Sequence, residues 1–257
     1  MILTDTDTSN FWHLETHVEP RPTLQQGDLI RFSECKNSLC KIGIVVTADC
    51  DLENKKHANL VTLVPILSAR SLLENYIYIE ECEGRRNDIT AHVCKVLDLD
   101  SNLNSVILEG ILDARSKDQG ASLSDEINLA ISFCLNKVEK LSSSEYSSLM
   151  RLTGGAAKSG KSLSQKIATK GDLLPLPSAK HLGINENIAW VRHIWQTPMR
   201  SIAMRTSETA NRPAERIARL ASPFRYRLTQ KMAQVFSDIG LPTVDHGIDQ
   251  AVEEALK

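Results

Sequence analysis

The clearest hydrophobic runs lie near the N-terminal side of the chain. Leu29-Ile30-Arg31-Phe32 follows the turn signal Gly27-Asp28 and reads as a short strand. Ile42-Gly43-Ile44-Val45-Val46-Thr47 is nearly continuous and rich in β-branched residues, which suits a buried strand and is too short for a core helix. The polar stretch Asp49 to Asn59 reads as a loop before a third strand, Leu60-Val61-Thr62-Leu63-Val64-Pro65-Ile66, whose proline falls near its end, where a missing donor is tolerated. Farther on, Tyr76-Ile77-Tyr78-Ile79 and Ser105-Val106-Ile107-Leu108 are candidate strands, and Ile89 to Leu97 fits either state.

The pattern then changes period. From Ser122 to Leu141 the apolar positions Ile127, Ala130, Ile131, Cys134 and Val138 recur at helical spacing, with Ser124 as cap and Asp125 and Glu126 in the first turn. Ser142 and Glu145 form a capping-box pattern that predicts a short helix ending at Thr153, before Gly154-Gly155. Two more strands are expected at Asp172 to Pro177 and Ile188 to Trp195. The strongest helix signal is the last: Ser222 as cap, Pro223 at the first position, then a stripe of Phe224, Leu228, Met232, Val235, Phe236 and Ile239 ending at Gly240. Its other face carries Arg225, Arg227, Gln230, Lys231 and Gln234. These elements divide the chain into an arm (1–26), a barrel-like β region (27–120), a helical insertion (121–170), strands with a basic helix (171–242) and a tail (243–257).

Composition narrows the class. At 257 residues, with 42% hydrophobic and 24% charged residues, the chain has the makeup of a globular protein and no tract of the roughly 20 apolar residues a membrane helix needs. Met1 to Asn10 lacks the basic and apolar regions of a signal peptide, so a cytoplasmic protein is expected. The net charge of −2 hides an asymmetry, because Lys180 to Phe236 holds ten Lys or Arg against three acids, about +7. Arg192, Arg216, Arg219, Arg225, Arg227 and Lys231 are therefore candidates for meeting a nucleic-acid backbone, with an acidic protein face as the alternative.

Candidate chemistry concentrates after the second strand, in Thr47-Ala48-Asp49-Cys50-Asp51-Leu52-Glu53-Asn54-Lys55-Lys56-His57. Two carboxylates beside Cys50 oppose thiolate formation, whereas a metal would reverse that logic, since Asp49, Cys50, Asp51 and His57 are competent ligands and Cys35 and Cys40 precede them. No cofactor is expected, and zinc is the alternative this set leaves open. Five of the six cysteines fall between residues 35 and 94 without a C-x-x-C pair, and reduced thiols are expected. Gly155 to Ser162 satisfies the pattern of a phosphate-binding loop, G-x-x-x-x-G-K-[ST], but such a loop needs a buried strand before it. The polar residues Ser143 to Thr153 read as a helix instead, which leaves a Gly- and Lys-rich surface loop. Trp190 and Trp195 read as core or interface aromatics, with a base-stacking platform as the alternative. The seven histidines are scattered and form no triad signature.

The ordered set Gly27-Asp28-Leu29-Ile30, Lys41-Ile42-Gly43-Ile44-Val45-Val46-Thr47 and Val61-Thr62-Leu63-Val64-Pro65-Ile66 resembles the PemK/MazF toxin family, which opens on Gly-Asp and returns through a strand ending in Val-Pro. The resemblance covers residues 27 to 68. It implies an α+β protein with a small PemK/MazF-like, SH3-like β-barrel, here with inserted helices and a C-terminal amphipathic helix. Members are typically dimeric and cleave single-stranded RNA without a metal, using an Arg on the second strand and a Thr after the Val-Pro strand. Those positions here are Lys41 and Leu67, and lysine lacks the planar fork that grips phosphate oxygens in pairs. The expectation is a nucleic-acid- or partner-binding protein in a bacterial toxin–antitoxin or phage-defence setting, with RNA or DNA, a protein partner and a second copy of the chain as the expected partners. The alternatives are a non-standard ribonuclease built on Lys41, Asp49, Cys50 and Asp51, and a P-loop nucleotide-binding protein.

Overall fold

The computed structural model describes residues 11–14, 23–100, 103–117, 123–177, 180, 184–222 and 224–237. The expected arm before residue 11, Pro20, Pro22, Pro223, Ile239, Gly240 and the tail lie outside the described residues. The chain is a mixed α+β protein of two compact units. The first comprises Met1–Ile66, Gly171–Pro177 and Ala189–Lys257, and the second comprises Leu67–Lys170 and Ser178–Ile188.

The first unit is built on a sheet. The three strands expected from the sequence form in order as β2 (Asp28–Phe32), β3 (Ile42–Val45) and β4 (Leu60–Leu67). They pair antiparallel with Ile30 opposite Gly43 and Ile44 opposite Val64. The short helices α1 (Ser38–Lys41) and α2 (Asp49–Glu53) occupy the two connections, so the stretch expected as a loop from Asp49 begins with a helical turn. Part of the arm also takes a place in the sheet, as β1 (Trp12–Leu14). Later strands are β5 (Leu173–Pro175), β6 (Ile188–Trp190), β7 (Trp195–Pro198), β8 (Ile202–Ala203) and β9 (Ala214–Leu220). The single strand expected over Ile188 to Trp195 is thus two, broken by a turn at Val191 and Arg192.

The sheet runs β1-β9-β2-β3-β4-β6-β5, with β7 on β4 and β8 on β9. Among the described residues no ladder joins β1 to β5, so the barrel expected from the resemblance is not closed by backbone pairing. The Trp12 indole N–H nevertheless donates to the Pro177 carbonyl at 3.1 Å, tying one sheet end to the residues just past the other. Strand β9 was not anticipated, because Ala214-Glu215-Arg216-Ile217-Ala218-Arg219-Leu220 puts two arginines in a short run. Its burial alternates strictly, with Ala214, Arg216, Ala218 and Leu220 inside. The core joins Leu24, Ile30, Val45, Val61, Leu63, Ile202 and Ala214, with Phe32, Trp195 and Met199 packed against it.

After β9 comes α10 (Phe224–Ser237), which buries Leu228 and Val235 as the stripe requires. Phe236 is more than one-third exposed and stands outside that stripe, since it directly follows Val235 on a helix that turns about 100° per residue. Near its start, Phe11 meets Phe224 edge-on at 4.9 Å between ring centroids.

The second unit is helical where strands were expected. Ser68 caps α3 (Ala69–Leu72), a π-helical turn follows over Leu73–Ile77, and α4 (Tyr78–Glu83) continues it. The Tyr76 to Ile79 run therefore lies in a helix. Four strand-favouring residues are outweighed by Leu- and Glu-rich flanks, and the wider π turn lets Leu72 and Ile77, five residues apart, both be buried. The ambiguous segment is α5 (Arg86–Val96). The Ser105 to Leu108 run opens α6 (Ser105–Lys117), where the Asn104 side chain accepts from the Val106 N–H at 2.9 Å. Helix α7 (Asp125–Cys134) has the expected Ser124 cap but stops before Leu141, because Asn136 takes a left-handed conformation with φ 54°. The capping box on α8 (Ser143–Leu152) forms as expected, with Thr153 closing the helix.

The Gly155 to Ser162 segment follows helix α8 and leads into α9 (Gly160–Thr169), capped by Ser159. This is helix–loop–helix, without the strand a phosphate cradle needs. Of its two lysines, Lys158 pairs with Glu81 at 2.6 Å, as Lys166 of α9 reaches both Glu80 and Glu81, whereas Lys161, the lysine of the pattern, is exposed. Cys82, Cys94 and Cys134 are buried in this unit, and Tyr78 stacks on Tyr146 at 4.4 Å.

Two consequences can be measured. A Cβ on Gly43 would stand 2.5 Å from the Trp195 ring, and an indole has no flexible end to give way. Gly43→Ala should lower stability by about 1–3 kcal/mol in urea unfolding. Burial, followed by the charges of Glu81 and Glu83, pushes the Cys82 thiol from 9.0 up to about 12. The unfolded chain gives up this proton first, so the stability Cys82 contributes is complete below pH 9 and lost as pH rises toward 12, at about 1 kcal/mol per pH unit. The difference between wild type and Cys82→Ala, followed over that range, should carry this slope.

Candidate ligand-binding site

The Gly27-Asp28 signal places a carboxylate inside the protein. Gly27 takes φ 89°, a conformation costly for any residue with a Cβ, and the next side chain, Asp28, is fully buried. The Gln25 N–H donates to Asp28 Oδ2 at 2.8 Å. Arg219, opposite Asp28 in the β2–β9 register, donates from Nε to Oδ1 at 2.6 Å and from Nη2 to Oδ2 at 3.1 Å. Arg216 Nη1 lies 3.9 Å from the same carboxylate, and its side chain is only 1% exposed. A bulge between Leu29 and Ile30 shifts the register and lets β9 bring both arginines toward one acid. Burial raises the Asp28 carboxyl above its ordinary range, against the lowering effect of Arg219, the Gln25 amide and Arg216. Arg216 and Arg219, expected on a nucleic-acid face, are internal members of this cluster.

The Asp49-Cys50-Asp51 segment is also structural in part. Asp49 Oδ1 accepts from the Gln26 N–H at 2.7 Å, and Oδ2 accepts from Arg225 Nη1 at 3.3 Å. Gln26 Nε2 donates to Val46 O and to Thr229 Oγ1, so one loop fastens α2 and α10 together. Arg225 is therefore tied inward and is not an open cation. Cys50 is exposed with Sγ 3.8 Å from Asp51 Oδ1, and His57 Nδ1 lies 3.0 Å from the Asp51 carbonyl. Lys41, also exposed, precedes β3, whereas Asp49 follows it. From Lys41 to Val45 alone the strand advances about 13 Å. The four residues expected to act together thus stand at opposite ends of one strand. Among the described residues no group of three or more His, Cys, Asp or Glu side chains is placed to share a metal ion.

The remaining basic candidates divide. Arg192 pairs with Asp172 at 3.3 Å, and Asp172 also accepts from the Trp190 indole at 2.9 Å, while His193 packs on Trp190 at 4.0 Å. Trp195 lies against Phe32 and Gly43. Neither indole is laid out as an open stacking platform. Arg227 and Lys231, one helical turn apart on α10, have no ion pair among the described residues, and the same holds for Arg200 and Arg205.

Arg200 lies at a cavity of about 590 Å³ that the sequence reading missed. Its wall is formed where β4 begins and β7 ends, with Leu60 opposite Pro198 in register. The left-handed residues Ala58 and Asn59, at φ 47° and 61°, turn the chain into β4, and Asn59 O accepts from the Met199 N–H at 2.8 Å. Met199 and Met204 supply apolar lining, and Arg212 closes one side while donating to Ile202 O at 2.6 Å and pairing with Glu208 at 3.5 Å. A signal was present in the sequence, Met199-Arg200 repeated five residues later as Met204-Arg205, but the strand pairing that joins it to Leu60 is not local.

No family model, curated protein or solved structure matches this chain.

The buried cluster yields a direct test. Asp28→Asn leaves two guanidinium groups without their carboxylate and should cost about 3–5 kcal/mol, read as a lower urea midpoint. An unchanged midpoint would remove the cluster from the account of how the sheet is held.

Proposed function

We propose that the chain is a binding protein for single-stranded nucleic acid, RNA foremost, which holds its ligand at the cavity beside Leu60, Pro198, Met199 and Met204. The observation that carries this reading is Arg200, an exposed guanidinium without an ion pair among the described residues at the rim of an apolar cavity. Base faces gain from packing on apolar and thioether surface, and a planar guanidinium can stack on a base or grip phosphate oxygens in pairs. Arg205, Arg227 and Lys231 add positive charge on the same unit. The resemblance of residues 27 to 68 to PemK/MazF toxins supports the same ligand class and a toxin–antitoxin or phage-defence setting.

Binding is favoured over cleavage, since Lys41 stands at the other end of β3 from Asp49, Cys50 and Asp51. The test is fluorescence anisotropy with a short labelled single-stranded RNA at several salt concentrations. Affinity should fall steeply with salt, and Arg200→Ala should weaken binding about tenfold and reduce the magnitude of the salt slope by about 1. Absence of binding to single-stranded RNA and DNA at low salt would refute the proposal. Cleavage of the probe abolished in Lys41→Ala would restore the ribonuclease reading.

A further inference from the structure

The connection between β2 and β3 carries two half-buried thiols, Cys35 and Cys40. Both ends of this connection are fixed. Arg31 pairs with Ile42 in the β2–β3 ladder, and the Ser33 N–H and hydroxyl both donate to the Pro213 carbonyl, at 3.0 and 3.1 Å. Between those anchors, one oxygen gathers the two cysteines. The Asn37 carbonyl accepts from Cys35 Sγ at 3.5 Å and from the Cys40 N–H at 3.0 Å. The Asn37 side chain accepts from Leu39 N at 2.9 Å, which starts the helical turn that carries Cys40 back toward Cys35. Both cysteines thus converge on one carbonyl oxygen, Cys35 through its thiol and Cys40 through its backbone N–H.

We propose that Cys35 and Cys40 form a dithiol that a hydroperoxide closes to an intramolecular disulfide. Nothing in this step depends on nucleic-acid binding. One thiolate attacks the O–O bond of hydrogen peroxide, becomes a sulfenic acid and releases the first water. The second sulfur then displaces the sulfenic hydroxyl, the S–S bond forms, and the second water leaves. Each sulfur gives up one electron, the peroxide takes both, and the two thiol protons end in the two waters. Burial, then the neighbouring Cys35, holds the Cys40 thiol above its ordinary range, so closure should quicken as pH rises through the thiol range.

Cys50 provides the contrast, being exposed and situated beyond the far end of β3, whereas the other three cysteines are buried. Its carboxylate neighbour, Asp51, offers no second sulfur.

The experiment treats the full chain with hydrogen peroxide, blocks the remaining thiols under denaturing conditions and maps the peptides by mass. Cys35 and Cys40 should be lost to alkylation together, in equal proportion, and recovered as one cross-linked species two hydrogens lighter that dithiothreitol reopens. Cys50 should instead gain oxygen. In Cys35→Ser the cross-link disappears, and Cys40 is then either alkylated or oxygenated. As a measure independent of oxidation, phenylarsine oxide should bridge the reduced pair, adding one arsenical per chain in wild type and none in Cys35→Ser or Cys40→Ser. Oxidation of Cys50 with both Cys35 and Cys40 still alkylated, a cross-link between chains in place of the internal one, or arsenical uptake unchanged in the serine variants would overturn the proposal.

Discussion

A single buried carboxylate organises the sheet. Asp28 has no solvent to stabilise its charge, and isolated buried charge is among the most expensive features a fold can carry. Arg219 answers it in two places and Arg216 adds a second cation, although 191 residues separate Asp28 from Arg219. Strand β9 can therefore lie beside β2 in only one register, with Asp28 opposite Arg219, because a one-residue slip would leave acid and guanidinium on opposite faces. The bulge, the left-handed Gly27 and the inward Arg216 are the local accommodations to that pairing. Next to it, Asp49 and Arg225 repeat the device at lower burial, fastening the last described helix to α2, just after β3.

How much of this could be read from the sequence depended on whether the signal was local. Strands β2, β3 and β4 were legible because each is a bounded apolar run, and the helices opened by Ser124 and Ser142 were legible because their caps lie within three residues of the groups they satisfy. Tyr76 to Ile79 and Ser105 to Leu108 misled because a four-residue run of strand formers was weighed without the helix formers on either side. Strand β9 was hidden by its chemistry. Two arginines in seven residues read as surface, and only the distant Asp28 shows why one of them points inward.

The same principle governs the candidate site. A count of charge along the chain identified a basic segment, yet Arg192, Arg212, Arg216, Arg219 and Arg225 each face a carboxylate of the first unit. Arg200, Arg205, Arg227 and Lys231 have no ion pair among the described residues, and of these Arg200 borders an apolar hollow. The loop with the densest reactive side chains turned out to be divided between tethering and exposure. Sequence proximity had grouped Lys41 with Asp49, whereas the extended backbone of β3 separates them.

Strand order has a bearing on synthesis. In the sheet β9 lies between β1 and β2, yet it is the last of the described strands to leave the ribosome. Until residue 220 emerges, β1 has no partner among the described strands, and β2 keeps one edge of its backbone open while Asp28 waits without its arginines. The helical unit, whose main elements end by residue 170, is complete earlier and can form while the sheet is still unfinished. A nascent chain thus passes through a stage with a folded helical part and an exposed strand edge, the kind of edge that invites pairing with another chain. A stop codon before residue 214 would therefore remove β9 and trap that aggregation-prone stage.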